Sequence, residues 1–240
     1  MWRSITFVIL MLAGFAASAK AEDNRLVVVE LFTSQGCSSC PPADAFLHEL
    51  AAREDVLALG LHVDYWDYIG WTDVFGQKAH SDRQRAYARV GGRRSVYTPQ
   101  MVVQGEQHIV GNHPVEVNRL IRRHQADAAK ARLTVVREAG LLRIAAQAET
   151  PAQTQAQGRG EPVAVLMVRY VPRAVTQIQR GENAGLEIAY ANIVTDIKLL
   201  DVWDMTRPYE ARVPLSGPER AAIIVQARGH GPIVAAARAD

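Results

Sequence analysis

This sequence contains few cysteines and has a small net charge. Its 240 residues include only two cysteines, so a scaffold of several disulfides and a zinc site built from two cysteine pairs are excluded. The 27 basic and 25 acidic residues are interspersed and give a net charge of +2, which argues against a nucleic acid or an anionic membrane as the partner. Hydrophobic residues make up 48% of the chain, enough for the core of one large or two small globular domains.

Long apolar runs are also scarce, and the one at the N-terminus has the pattern of a signal peptide over residues 1–21. Met1–Arg3 is positive, Ile5–Ala17 is apolar, and small residues follow up to Ala21. A spanning helix is the weaker alternative, because a membrane span needs roughly 18 or more apolar residues. We expect cleavage after Ala21, with Ala19 as the second choice. The mature protein is then secreted or periplasmic, has no membrane anchor, and lies where disulfides persist.

The first half of the remaining chain alternates strand and helix patterns. Leu26–Phe32 is an apolar, β-branched run typical of a strand buried on both faces. Apolar residues at helical spacing over Ala43–Ala51 and a second strand pattern over Val56–Val63 complete a right-handed strand-helix-strand unit. The patterns that follow predict an ordered aromatic loop, an exposed amphipathic helix, a β-hairpin and a final helix, over Asp64–Phe75, Gln77–Val90, Gln100–Val110 and Pro114–His124.

The second half of the chain has a different sequence pattern, in which strand-like segments predominate. A polar, alanine-rich stretch, Gln125–Lys130, predicts a boundary between two domains, over residues 22–130 and 131–240. The second domain is predicted to be a small antiparallel β domain, and its segment Arg180–Gly185 reads as a turn. Its acidic residues, Glu182 among them, have no spacing that specifies a metal site or a nucleophile with its base. The β-like segments are Leu133–Val136, Leu141–Ala148, Val163–Tyr170, Leu186–Thr195, Ile197–Trp203 and Ala221–Ala227.

The two cysteines form a Cys37-Ser38-Ser39-Cys40 motif between the first predicted strand and the first predicted helix. Two cysteines at this spacing on a first helical turn can close a disulfide without moving the backbone. Unpaired amides and the helix dipole favour a thiolate at Cys37, so Cys37 is the predicted nucleophile and Cys40 the resolving thiol. A purely structural disulfide is the alternative, although so short a loop removes little entropy from the unfolded chain.

A Thr98-Pro99 pair precedes the predicted hairpin. A cis peptide bond at this point would hold backbone groups out to accept an extended partner segment. Most X-Pro bonds are trans, with only about 5 to 6% cis in folded proteins. The two residues by themselves therefore leave both isomers open.

The order of these features resembles the thioredoxin superfamily over roughly residues 25–125, about one domain. The first strand, the Cys37–Pro41 motif, the second strand and Thr98-Pro99 carry the resemblance. The chain is also similar to a secreted bacterial family catalogued only as a domain of unknown function. The segments that carry this closer similarity are Val29–Asp44, His62–Asp67, Tyr97–Gln100 and Arg180–Gly185.

The resemblance implies an α/β fold class, with a thioredoxin-like fold followed by a small antiparallel β domain. It implies that Cys37 and Cys40 are the redox pair, and that Pro99 is a cis-proline facing them. It further implies that Thr98 presents its backbone to a partner. The buried acid of thioredoxin is similar to Glu30, which is then the proton acceptor for Cys40.

These expectations together favour a thiol-disulfide oxidoreductase of the bacterial cell envelope that acts on exported proteins and needs no cofactor. Its electrons would be exchanged with a separate, unidentified redox partner, because the chain has no second cysteine pair. Two alternatives stay open. One is a protein that carries copper(I) on Cys37 and Cys40. The other is a non-enzymatic interaction protein in which residues 131–240 perform the recognition.

Overall fold

A computed structural model describes residues 25–149 and 162–239. The predicted signal peptide, residues 1–21, lies outside the described residues. The fold is mixed α/β: the described residues form an eight-stranded sheet, a three-stranded sheet and three α-helices. In chain order the elements are β1 (Val27–Thr33), α1 (Pro41–Ala51), β2 (Val56–His62), a 3-10 turn (Asp67–Ile69), α2 (Lys78–Val90), β3 (Gln100–Val103), β4 (Gln107–Val110), α3 (Pro114–Ala126), β5 (Ala131–Glu138), β6 (Leu141–Ala148), β7 (Val163–Gln177), β8 (Glu187–Trp203), β9 (Tyr209–Pro214), β10 (Arg220–Ala227) and β11 (Ile233–Arg238).

The eight-stranded sheet contains the strand-helix-strand unit that the sequence predicts. β1 and β2 are parallel, from Val27 opposite Val56 to Thr33 opposite His62, and every residue of both strands is buried. This position explains the apolar sequences of both strands, because a central parallel strand is covered on both faces. The strand order across the sheet is β11-β10-β7-β8-β2-β1-β3-β4.

Strands from both sides of residue 130 share this sheet through a narrow contact. β2 pairs with β8 in parallel orientation at Gly60, opposite Ile193. A β-carbon on Gly60 would lie 3.1 Å from the carbonyl oxygen of Ala191, so glycine lets the two strands approach closely here. The Asn192 side-chain amide donates to the Ala58 carbonyl oxygen at 2.9 Å and adds a second link. The division into domains stays a prediction, and the large sheet is common to both parts.

The helices cover both faces of the sheet. α1 and α3 lie on the face that carries Val27, Val29 and Leu31, where they form one apolar core. α2 lies on the opposite face, over Val28 and Phe32. Alternation along β1 therefore sends successive side chains into different cores.

The structure of α2 differs from the exposed helix that its sequence predicts. Its residues His80, Ser81, Arg83 and Gln84 are buried although all four are polar. Each of them has a hydrogen-bond partner in the surrounding structure. A hydrophobicity pattern misses such a face, because polar residues with internal partners look the same in sequence as polar residues in solvent.

The second half of the chain is β structure, as predicted, with two strands that the sequence analysis misses. β5, β6 and β9 form the three-stranded sheet, which packs on the large sheet through an apolar core that includes Leu142, Val165 and Trp203. β8 is one 17-residue strand where two segments are predicted. β9 and β11 are missed because charged residues and alanine give them a weak strand signal. Within residues 25–149 and 162–239, no helix combines the length and apolar character that crossing a membrane requires.

Candidate functional site

The cysteine motif lies between the end of β1 and the start of α1. β1 ends at Thr33, a turn follows, and Cys40 is the N-cap residue of α1, with prolines in the first helical turn. The two cysteines form a disulfide, and their α-carbons are 5.4 Å apart. Cys40 is completely buried and Cys37 is 2% exposed, whereas Ser38 and Ser39 lie in solvent. Cys37 is therefore the more accessible of the two cysteines.

Thr98 and Pro99 lie beside the start of α1. The peptide bond between them is cis, as the resemblance implies. Gly111 separates Pro99 from Ala43: a β-carbon on this glycine would lie 3.2 Å from the β-carbon of Pro99 and 3.1 Å from that of Ala43. The structure thus brings Pro99 close to the first turn of the helix that Cys40 caps.

An aromatic ledge, formed by Trp66 and Tyr68, borders the motif. The Trp66 indole N–H donates to Thr98 Oγ1 at 2.8 Å. A β-carbon on Gly36 would lie 3.3 Å from the Trp66 β-carbon, so the two residues are in close contact. Tyr68 stacks on Trp66 with ring centroids 6.4 Å apart and is 81% exposed. The ledge therefore places apolar surface beside Thr98 and beside the residue that precedes Cys37.

Gln35, two residues before Cys37, is the centre of a buried hydrogen-bond network that the sequence analysis does not identify. Its backbone N–H donates to Asp73 Oδ2 at 2.8 Å, and its side-chain amide donates to Thr176 Oγ1 at 3.2 Å. Its side-chain oxygen accepts the Trp71 indole N–H at 2.9 Å. Gln35 has no exposed surface. The network fixes the loop that leads into the cysteine motif.

The turn between β7 and β8 contacts this same loop. Asn183 is buried, and its side-chain amide donates to the carbonyl oxygens of Gln35 and Cys37 at 2.9 and 3.0 Å. The backbone N–H of Ser38 donates to Glu182 Oε2 at 3.3 Å. Neither Glu182 nor Asn183 has a role in the sequence analysis, because a separation of 146 residues leaves no local pattern.

Glu30, the proton acceptor that the resemblance implies, lies on the opposite face of the sheet from α1. It is completely buried against α2, where Arg83 Nε and Nη2 donate to its carboxylate at 2.7 and 3.1 Å. The Tyr87 hydroxyl donates a further hydrogen bond. Burial raises the pKa of Tyr87 well above its ordinary value, so this phenol keeps its proton. The structure brings Glu30 to Arg83 and Tyr87, and away from the helix that Cys40 caps.

Asp44 is the buried acid on the α1 side of the sheet. It follows Cys40 by four residues on one helix, so the two side chains project from neighbouring positions. Asp44 is 3% exposed, and its Oδ2 has no hydrogen-bond partner among the described residues. Burial raises the pKa of Asp44 from 3.8 to about 7, with nearby His62 opposing the rise. Its signal in the sequence, an aspartate inside an apolar helical pattern, receives no role in the sequence analysis.

His62 and Asp73 form a buried pair near Asp44. His62 Nδ1 lies 2.7 Å from Asp73 Oδ2, and both side chains are almost wholly enclosed. The rings of Phe75 and Tyr190 meet the His62 ring edge-on, with centroids 5.3 and 4.8 Å away. The Tyr190 hydroxyl is buried without a hydrogen-bond partner in the part of the chain that the structure describes. Asp44 and Tyr190 thus each have a polar atom without a hydrogen-bond partner in this buried region of the described structure.

A comparison with known protein families matches most of the chain. Residues 28–226 match the family described as Protein of unknown function (DUF1223). The chain belongs to this family. The matched region of this DUF1223 protein includes the cysteine motif, Thr98, Pro99 and Asn183. No curated protein matches the chain.

Two solved structures are similar to this DUF1223 protein. Protein AGR_C_4864 from Agrobacterium tumefaciens is 28% identical, with a TM-score of 0.74, and the match covers 89% of this chain and 93% of that one. HBP35 of Porphyromonas gingivalis is 14% identical, with a TM-score of 0.59, and the match covers 89% of this chain and 74% of that one. The second similarity is one of fold alone.

Proposed function

We propose that this DUF1223 protein is a thiol-disulfide oxidoreductase with a thioredoxin-like fold that acts on exported proteins of the bacterial cell envelope. The observation that carries the proposal is the position of the Cys37–Cys40 pair, at a helix start directly after a buried parallel strand and with Pro99 beside that helix. Amides at a helix start stabilise a thiolate, which is the reactive form of cysteine in exchange. The signal-peptide pattern of residues 1–21 supports the location.

The proposed reaction is a reversible exchange between this disulfide and two cysteines of an exported protein. A substrate thiolate attacks Cys37 Sγ, the Cys37–Cys40 bond breaks, and Cys40 leaves with the electron pair as a thiolate. The second substrate thiolate attacks the substrate sulfur of this mixed disulfide and releases Cys37. The substrate loses two electrons and two protons, which the cysteine pair gains. A separate thiol-disulfide protein reoxidises the pair by the same exchange in reverse.

The surroundings of the pair suit an extended polypeptide as the substrate. The Ser39 hydroxyl lies 3.4 Å from Cys37 Sγ, where it can donate to the thiolate of the reduced form. Thr98 offers backbone groups for strand-like pairing with a substrate segment. The aromatic ledge next to Thr98 adds apolar contact area for side chains of that segment.

Asp44 is the acid that the geometry favours for proton exchange with Cys40. It lies one helical turn beyond Cys40, and its pKa of about 7 lets it accept or release a proton near neutral pH. Cys40 is completely buried, so bulk water has little access to its thiol. Glu30 is held by Arg83 on the other face of the sheet and is not assigned this role.

Trapping with cysteine variants tests the proposed function. Cys40→Ser protein can react only in the reverse direction, in which the Cys37 thiolate attacks a disulfide of an exported protein and one substrate sulfur leaves as a thiolate. The Cys40 thiol that would resolve this mixed disulfide is absent, so we expect Cys37 to accumulate adducts with envelope proteins that dithiothreitol releases. Cys37→Ser protein should form no such adducts, because its remaining cysteine is buried. Ser38→Ala keeps both thiols and serves as the matched control for a change in the exposed motif. Non-reducing gels of envelope extracts provide the measurement.

The reduction potential of the wild-type pair, measured against glutathione, is an independent check. We expect a value above roughly −250 mV with reversible cycling. A pair that stays oxidised below about −300 mV and traps no partner would be a structural bridge and would contradict the proposal. Copper(I) binding by the reduced protein without exchange would favour a copper carrier instead. No cluster of three or more potential His, Cys, Asp or Glu metal ligands occurs in residues 25–149 and 162–239.

A further inference from the structure

The turn between β7 and β8 binds the backbone of the cysteine motif through two adjacent side chains, which we call the Glu182–Asn183 clamp. The Asn183 amide bridges two carbonyl oxygens, one of which belongs to Cys37. The Glu182 carboxylate accepts the N–H of Ser38, the residue directly after Cys37. Asn183 is 4% exposed, so its hydrogen bonds are shielded from water, whereas Glu182 lies in solvent. The clamp thus combines a buried anchor with an exposed charge.

The surrounding turn holds these two side chains in place. The Gly185 N–H donates to the Ile178 carbonyl oxygen at 2.8 Å and closes the turn. Gly181 has a φ of +78°, and a β-carbon there would lie 3.2 Å from the Trp71 β-carbon. Glycine therefore permits both the backbone angle and the close packing of the turn on the aromatic loop. The clamp residues lie between these two fixed glycines.

We propose that Glu182 and Asn183 are positioning residues that set the redox poise of the Cys37–Cys40 pair, an inference that rests on the proposed exchange function. Asn183 fixes the backbone of Cys37. Glu182 places a negative charge at the adjacent Ser38 amide, which disfavours the Cys37 thiolate by repulsion and occupies the Ser38 N–H. The disulfide carries no charge and is unaffected. The clamp therefore makes the pair more strongly reducing, because it destabilises only the reduced form.

Two physical properties distinguish this electrostatic role from a purely structural one. The repulsion acts on the thiolate alone, so its effect on the reduction potential disappears at a pH where Cys37 is a thiol. Glu182 is exposed, so salt weakens the effect by screening. Loss of packing or of one hydrogen bond would show neither dependence.

The test compares Glu182→Gln with the wild-type residue, because glutamine keeps an oxygen acceptor for the Ser38 N–H and removes the charge. In a Cys40→Ser background, we expect the midpoint pH for alkylation of Cys37 to fall by about 0.2 to 0.7 units at low salt. This shift should shrink in 1 M NaCl. With both cysteines present, the reduction potential should become less negative above the midpoint pH and stay unchanged two units below it.

Further variants separate the effect of the Glu182 charge from the effect of where that charge is held. Glu182→Asp keeps the charge and should stay close to wild type. Glu210→Gln removes an exposed charge from β9 in the other sheet and should change nothing. In an Asn183→Ala background the turn no longer holds the carboxylate at Ser38, so we expect Glu182→Gln to have a smaller effect there than in wild type.

The outcomes distinguish this inference from the proposed function. An unchanged alkylation midpoint in Glu182→Gln at low salt overturns the role of the clamp, even where the wild-type pair cycles with glutathione and exchange itself stands. A pair that cycles in no variant contradicts the exchange function. The alkylation midpoint, measured after reduction with a phosphine, then still decides whether Glu182 acts on Cys37.

Discussion

Two buried acids on opposite faces of the large sheet have contrasting surroundings. Glu30 faces α2 and accepts hydrogen bonds from Arg83 and Tyr87. Asp44 projects from α1 on the other face, and one of its carboxylate oxygens has no partner in the described part of the chain. A buried charge is unfavourable unless it is paired. The ion pair satisfies Glu30, whereas Asp44 takes up a proton, with a pKa of about 7.

Under the proposed function, the difference separates an acid that serves the fold from one that serves proton transfer. A saturated ion pair fixes the packing of α2 on the sheet, and removal of one partner leaves an uncompensated charge. A carboxyl group with incomplete partners changes its protonation state with little rearrangement, which is a property of groups that transfer protons. Because the two acids lie on opposite faces of the sheet, single substitutions can test each of them separately.

Replacement of Glu30 has the largest expected effect on stability. Glu30→Ala leaves Arg83 charged and buried, so we expect the free energy of unfolding to fall by about 3 to 5 kcal/mol. Urea unfolding followed by circular dichroism measures the change. Glu49→Ala, at an exposed position of α1, is the control and should stay within about 0.5 kcal/mol of wild type. A loss of exchange rate without a loss of stability would give Glu30 the proton-transfer role instead.

Replacement of Asp44 by asparagine should stabilise the protein at neutral and alkaline pH. The native state holds the Asp44 proton up to about pH 7, and the unfolded chain only up to its ordinary pKa of 3.8. Between these values the native state binds more protons, so wild-type stability falls as pH rises, and the substitution removes this fall. The gain in unfolding free energy should be near zero at pH 4 and about 2 to 4 kcal/mol above pH 7.

The stability of Asp44→Asn and of wild type has to be compared over the complete pH range, because His80 also makes stability depend on pH. Burial lowers the pKa of His80 from 6.5 to about 4, so its contribution to stability is lost as pH falls from 6.5 to 4, which opposes the Asp44 slope. The difference between the Asp44→Asn and wild-type profiles cancels the His80 part. A difference that does not change with pH would contradict the assignment. The exchange rate of Asp44→Asn should also lose its pH dependence near pH 7, which a purely structural residue would not cause.

Removal of one hydrogen bond from the network around Gln35 has the smallest expected effect on the free energy of unfolding. Trp71→Phe keeps an aromatic ring but removes the N–H that donates to the Gln35 side chain, so we expect a loss of about 1 kcal/mol in urea unfolding. No charge changes, so the reduction potential and the alkylation midpoint of Cys37 should stay at wild-type values. A shifted potential would show that the Gln35 network, rather than Glu182, sets the poise of the pair.

Much of the site can be predicted from sequence because its signals are local. The apolar run before the motif and the helical spacing after it indicate β1 and α1 to within two residues. The position of Glu30 could not be predicted in the same way, because a one-residue offset along a strand reverses the face to which a side chain points. The protonation of Asp44 depends on burial, which only the packed structure creates. Asn183 depends on a contact across 146 residues, for which the chain offers no pattern.

The distance of Asn183 along the chain has a consequence for the order in which the protein is made. The ribosome adds Cys37 146 residues before Asn183, which corresponds to roughly 7 to 30 s at ordinary rates of synthesis. Throughout that interval the growing chain carries both cysteines without the clamp. The thiol chemistry of the nascent protein is therefore that of an unclamped pair, and a chain truncated before Glu182 would keep that chemistry permanently.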